Sequence, residues 1–200
     1  MKHNDFLFIF AVVVIALALA NIAFTINRIN ITGHATGTGT ANLTVGNWTA
    51  VNFTTSVVNW GSGVVQAGQL NATLDTSVGT VTNGNWTANN AGLILENIGN
   101  VNVTIDIKTG KTAATFLGGT APQYLLNFTN NKTGSCYNQT NVALGFWTAV
   151  NTSDPGTRVC NNFTFYNSSD AIRIDIKLGV PYDSLTGALS DVITATATQA

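Results

Sequence analysis

Val101-Asn102-Val103-Thr104-Ile105-Asp106-Ile107-Lys108 and Ile172-Arg173-Ile174-Asp175-Ile176-Lys177-Leu178 decide the fold class. In both stretches apolar residues alternate with polar or charged ones. A strand turns successive side chains to opposite faces, so a period of two gives one dry face and one wet face. Val101, Val103, Ile105 and Ile107 point one way, and Asn102, Thr104, Asp106 and Lys108 the other. The second stretch repeats the pattern, with Arg173, Asp175 and Lys177 outward. Opposite charges on such outer faces are placed to pair across strands, each for less than about 1 kcal/mol.

Working outward, similar short runs predict strands at 43–46, 50–58, 69–74, 78–82, 92–97, 113–117, 123–129, 142–150, 163–166 and 190–198. Turn chemistry separates many of them: Asn83-Gly84, Thr109-Gly110, Gly118-Gly119, Asp154-Pro155-Gly156 and Thr186-Gly187. No window of this region carries a convincing helical period. The expectation is an all-β chain, a single antiparallel β-sandwich (jelly-roll-like) over 42–200. A region of this length holds one core and does not require two domains.

Composition narrows the function. Charged residues make up 8% of the 200-residue chain, against about 25% in an ordinary soluble domain. Their place is taken by 25 Asn, 30 Thr and 19 Gly, and the formal charge is −1. No basic surplus exists for nucleic acid. The net charge is too small to keep the chain unfolded. One Met, one Glu and five Lys argue against a helix-rich enzyme.

Phe6 to Phe24 is apolar except for Asn21, roughly the length that crosses the ~30 Å hydrocarbon core of a bilayer. Two readings of residues 1–24 stay open. One is a signal peptide with Lys2 at its charged start and Ala18-Leu19-Ala20 as the cleavage site; the other is a retained membrane anchor helix. Either exports the rest of the chain, to the cell surface or beyond. The first Gly is Gly33, so the Gly that precedes the apolar stretch of type IV pilins is missing. Residues 25–41 read as an extended segment, with Ile29 and Ile31 alternating against Arg28, Asn30 and Thr32, followed by a Gly/Thr linker.

Thirteen Asn-x-Ser/Thr triplets stand at Asn30, Asn42, Asn47, Asn52, Asn71, Asn85, Asn102, Asn127, Asn131, Asn138, Asn151, Asn162 and Asn167. Composition alone would give about five. In an exported chain each marks a surface acceptor for an N-linked glycan. Glycans would supply the hydration that the few charges do not, and such density points to an archaeal or eukaryotic export route. Cys136 and Cys160 are the only cysteines. Outside the cytosol the simplest expectation is one disulfide, closing a loop worth roughly 3 kcal/mol.

No catalytic constellation and no cofactor motif is present. The two histidines, His3 and His34, both lie outside the β region, so no triad or zinc site can be built there. Asp154, Asp170, Asp183 and Asp191 sit in loops, where calcium binding is a minor reading without EF-hand spacing. The chain reads as no enzyme. A short echo recurs: Gly46-Asn47-Trp48-Thr49-Ala50, Gly84-Asn85-Trp86-Thr87-Ala88 and Gly145-Phe146-Trp147-Thr148-Ala149. Its unequal spacing excludes a solenoid. Core packing by the three Trp is the first reading, and an exposed aromatic row for sugar or a neighbouring subunit the second.

Leu93-Ile94-Leu95-Glu96-Asn97-Ile98-Gly99-Asn100-Val101-Asn102-Val103-Thr104 resembles the strand, Asn-x-Gly, strand segment of jelly-roll fibre proteins. These are the TasA and camelysin biofilm-fibre family and archaeal thread and bundling-pilus subunits. The resemblance implies a filament or envelope subunit that self-associates by donating an N-terminal strand to its neighbour. The donor would be Asn21 to Thr32, with Asn21, Ile22, Phe24, Ile26, Ile29 and Ile31 as its contact residues. A membrane-anchored adhesin or carbohydrate-binding module is the alternative expectation.

Overall fold

A computed structural model describes residues 3–29, 40–137 and 144–200, with side chains over 7–22 in the first of these stretches. The chain divides into two compact units, Met1–Thr44 and Val45–Ala200.

The first unit holds helix α1 (His3–Ile29). Its described side chains are solvent-exposed, Phe8 at 72%. Among the described residues no helix is long and apolar enough to cross a membrane. The extended conformation expected from residue 25 is corrected as far as Ile29: Asn21, Ile22, Phe24, Ile26 and Ile29 all lie in α1. Helix formation is cooperative, so the Ala/Leu/Val run carries its neighbours along. Asn30, Ile31 and most of the Gly/Thr linker lie outside the described residues, as do Asn138 and residues 142–143.

The second unit is mostly β. Its strands are β1 (Val51–Thr55), β2 (Asn71–Asp75), β3 (Thr80–Thr82), β4 (Leu93–Asn97), β5 (Val103–Thr109) and β6 (Gln123–Asn130). They continue as β7 (Cys136–Tyr137), β8 (Trp147–Ala149), β9 (Thr157–Phe163), β10 (Ala171–Pro181) and β11 (Ile193–Gln199). All pairings are antiparallel and fall in two sheets. One has seven strands in the order β1-β4-β10-β2-β3, with β6 and β8 branching from β10; the other has four in the order β11-β5-β9-β7. This is the expected all-β, sandwich-like fold.

Strand β10 is the organiser. Along one edge it pairs with β6 from Ile172 to Gly179. Along the other it pairs first with β4 and then with β2, end to end. Ile172, Ile174, Ile176, Leu178 and Val180 turn inward, where they join Leu126 and Phe128 of β6, Leu93 and Leu95 of β4 and Leu74 of β2. Val103, Ile105 and Ile107 of β5 and Phe163 of β9 close the core from the second sheet.

Three expected strands come out differently. Residues 113–117 form α2 (Ala113–Phe116), because Thr112 and Thr115 cap each other's backbone N–H groups and nucleate a turn of helix. The strand expected at 163–166 lies earlier, at β9. Residues 43–46 form no strand. The cysteines do pair: Cys136 on β7 and Cys160 on β9 form a buried disulfide with Cα atoms 5.7 Å apart.

Candidate functional site

The second unit carries an open, mainly apolar cavity of about 1160 Å³. Its floor is core side chains, among them Leu74, Leu93, Tyr124 and Leu178. Two irregular segments form its walls, one following β1 (Ser56–Val65) and one joining β10 to β11 (Ser184–Val192). Neither segment forms a strand; the first makes an isolated bridge, Val65 to Gly84, and its Val57 and Val64 are exposed.

Three polar groups face this region. Tyr124 is buried, and burial, with the nearby Asp191 carboxylate, pushes its pKa far above the usual tyrosine range. Indole Nε1 of Trp60 and Oδ2 of Asp191 are buried without hydrogen-bond partners. A buried donor and a buried acceptor left open in one apolar cleft are costly, and an occupant carrying polar backbone groups would satisfy both. Beside the cleft, Ile193 starts β11, which pairs with β5 on one edge only. β11 carries no charge and no proline, so nothing in its sequence blunts an edge that can accept another strand.

Most charges elsewhere pair with one another, while Lys111 instead donates to the Ser190 carbonyl at 2.7 Å. Lys177 meets Asp75, directly opposite it in register, at 2.9 Å, and Arg158 meets Asp106 at 2.7 Å. Arg173 pairs with Asp175 at 2.7 Å, and Lys132 bridges Glu96 and Asp170. Lys108 pairs with Asp154. Burial opposes ionisation of Asp75, but hydrogen bonds from Lys177 and Ser77 outweigh it and hold its pKa below the usual carboxylate range. The loop aspartates Asp154, Asp170, Asp183 and Asp191 are not brought together; among the described residues no group of three or more His, Cys, Asp or Glu is placed to hold a metal ion.

The acceptor asparagines divide by burial. Asn42, Asn47, Asn52, Asn71, Asn85, Asn131 and Asn167 are exposed, and Asn102, Asn151 and Asn162 are half-buried. Asn127 is 7% exposed. It sits mid-sheet between Asp175 of β10 and Trp147 of β8, and Lys177 covers that indole at 4.1 Å. The expectation of a surface position at every triplet therefore fails there, because β6 lies inside the sheet rather than at its edge. The three echoes also diverge. Trp86 packs against the core with Asn85 outward, Trp147 is half-buried under Lys177, and Trp48 is 58% exposed.

The cavity itself was not legible in the sequence. Trp60, Trp86, Tyr124 and Asp191 come from four distant segments, and the only available signal was that 59–68 and 182–192 carry no alternation. No family model, curated protein or solved structure matches this chain.

Proposed function

We propose that this chain is a non-enzymatic, glycosylated cell-surface structural protein, a subunit of an extracellular filament or envelope layer. The observation that carries the reading is the open apolar cavity beside an uncharged edge strand. A β-sandwich normally closes its core, and a cleft of this size next to a free edge suits an extended segment from another copy. The N-terminal residues 21–31, with Asn21, Ile22, Phe24, Ile26, Ile29 and Ile31, supply that segment. Donation requires residues 21–29 to leave helix α1. An isolated helix is marginal in water, and pairing on β11 with burial in the cleft offsets its loss. Export through the hydrophobic segment, whether cleaved or kept as a membrane anchor, puts the sandwich outside the cell, where N-linked glycans hydrate its surface.

The test is assembly of protein taken from its native cells. Intact mass after deglycosylation identifies the N-terminus, and electron microscopy identifies filaments or layers. Deleting residues 21–32 while keeping the export segment is expected to leave a folded, secreted monomer. A wild-type protein that is monomeric and absent from every surface assembly would end the proposal. Exposed Trp48 favours the adhesin reading as the second. Loss of glycan-array binding in Trp48→Ala, with the fold intact, would move it to first place.

A further inference from the structure

Glu96, Lys132 and Asp170 meet in a cluster of which no member lines the cleft. Lys132 Nζ lies 2.5 Å from Asp170 Oδ1 and 3.1 Å from Glu96 Oε1. Among the described residues it is the only lysine whose ion pairs join it to two carboxylates; Lys108 and Lys177 each meet one. Glu96 is the only Glu of the chain. Asp170 is buried, and Lys132 and Glu96 are half-buried.

Three neighbouring strands hold the cluster. Asp170 immediately precedes β10, with β4 on one side and the end of β6 on the other. Ala171 stands opposite Glu96 in the β4–β10 register. The Asn97 N–H donates to the Asp170 carbonyl at 2.9 Å, and the Lys132 N–H donates to the Ala171 carbonyl at 3.1 Å. The backbone on both flanks is therefore pinned, and the side chains meet with little freedom left to lose. An amine and a carboxyl group held in contact react with an effective molarity that reaches about 10⁵–10⁸ M in well-oriented cases.

We infer that Lys132 and Asp170 condense into a side-chain amide, a covalent cross-link that the fold makes within itself, with Glu96 as the proton carrier. The hydrogen bond to Asp170, joined by the one to Glu96, raises the Lys132 pKa, so the resting cluster is ionic. Reaction begins when Nζ passes a proton to Asp170. The neutral amine then attacks Cγ, and Glu96 takes a proton from the attacking nitrogen. The tetrahedral centre collapses to a carbonyl, its hydroxyl accepts that proton from Glu96, and one water leaves. Glu96 ends as it began, one C–N bond has replaced one C–O bond, and the balance needs no oxidant or co-reactant. The chain acts once on itself and turns over no substrate. Lys177 and Asp75 touch at 2.9 Å without a second carboxylate, and they stay an ion pair. The amide joins residues 38 apart, tying the end of β6 to the start of β10 outside the Cys136–Cys160 loop. In the linked chain Lys132 and Asp170 no longer titrate, so any alkaline loss of stability due to their ion pair belongs to the unlinked chain.

Peptide mapping of the full chain tests this. The Cys136–Cys160 bridge joins the same tryptic fragments, so the protein is reduced, alkylated and deglycosylated before digestion. Trypsin does not cut after an acylated lysine. The wild type is therefore expected to give 112–158 joined to 159–173, lighter by one water than the two fragments together. Lys132→Arg keeps the charge, but its guanidinium does not acylate, and it should release 159–173 alone. Glu96→Gln keeps a hydrogen-bonding group and should slow the linkage about 100-fold in a pulse-chase time course. Lys177 should remain a cleavage site throughout. A wild type cut fully after Lys132 would overturn the amide. An undiminished rate in Glu96→Gln would overturn the part given to Glu96. Either result leaves the self-assembly reading untouched, because the cross-link forms within one chain.

Discussion

Asn97 shows how much one side chain can carry in a protein with few charges. It is 2% exposed at the end of β4. Its Nδ2 donates to the carbonyls of Val101 and Phe163, at 3.0 and 3.2 Å, and its Oδ1 accepts from the Gly99 N–H. It thus folds the Asn97-Ile98-Gly99 turn and ties one sheet to β9 of the other. Gly99 is required beside it: a Cβ there would lie 2.3 Å from the Trp48 carbonyl. Asn97→Ala removes the side-chain partner of one buried and two half-buried backbone groups. It is expected to cost about 3 kcal/mol, read as a lower urea midpoint at unchanged slope. Asn97→Asp tests the geometry, since it keeps the acceptor and loses both donors. A neutral result for both would show that the turn holds without the side chain. The motif was visible in the sequence as strand, Asn-x-Gly, strand. That Asn97 reaches Phe163, 66 residues on, was not, because hydrogen bonds across sheets leave no periodic trace.

Among the elements, the alternating strands were legible where one face is buried and the other wet. Strand β10 keeps the alternation in its sequence from Ile172 to Leu178 because the core takes Ile172, Ile174, Ile176 and Leu178 while Arg173, Asp175 and Lys177 form ion pairs on the other face. Strand β9 was missed. Its stretch Thr157-Arg158-Val159-Cys160-Asn161-Asn162-Phe163 does not alternate, and the β5–β9 register shifts twice. A strand with irregular pairing shows two apolar residues in a row where a regular one shows one. The disulfide compensates by fixing β9 to two-residue β7, which has little ladder of its own. Replacing Cys136 and Cys160 together by Ser is expected to lower stability by about 3 kcal/mol, from the 24-residue separation of the pair. The loss should appear as a lower unfolding midpoint that reductant reproduces in the wild type. A wild type whose midpoint ignores reductant would show that the strand pairing suffices.

For the whole molecule, the pairing of charges makes a statement about pH. Asp75 has a folded pKa below its ordinary 3.8, so its stabilising contribution is present above that value and is lost as pH falls through the folded pKa. Lys132, raised above its ordinary 10.5 mainly by the hydrogen bond to Asp170, contributes below that value and loses its effect as pH rises through the folded pKa. With both histidines outside the β unit, stability should be nearly flat from about pH 5 to 9 and fall on either side. Urea midpoints measured across the range test this. Asp75→Asn should soften the acid limb. A pronounced slope near neutrality in the wild type would mean that groups other than these control folding.

Residue pattern alone determined that the chain has an apolar N-terminal run, a β-rich body of short alternating strands and one cysteine pair able to bridge it. Those properties are local: a period of two, a run of apolar side chains and a loop length are each set by neighbours in the chain. Only the tertiary structure decided that Asn127 is enclosed within a sheet, that the alternating residues before Ile29 are helical in the single chain, and that a cleft opens beside β11. Each of these depends on which distant strands lie side by side, and the packing energy that selects them is spread over contacts between residues far apart in sequence.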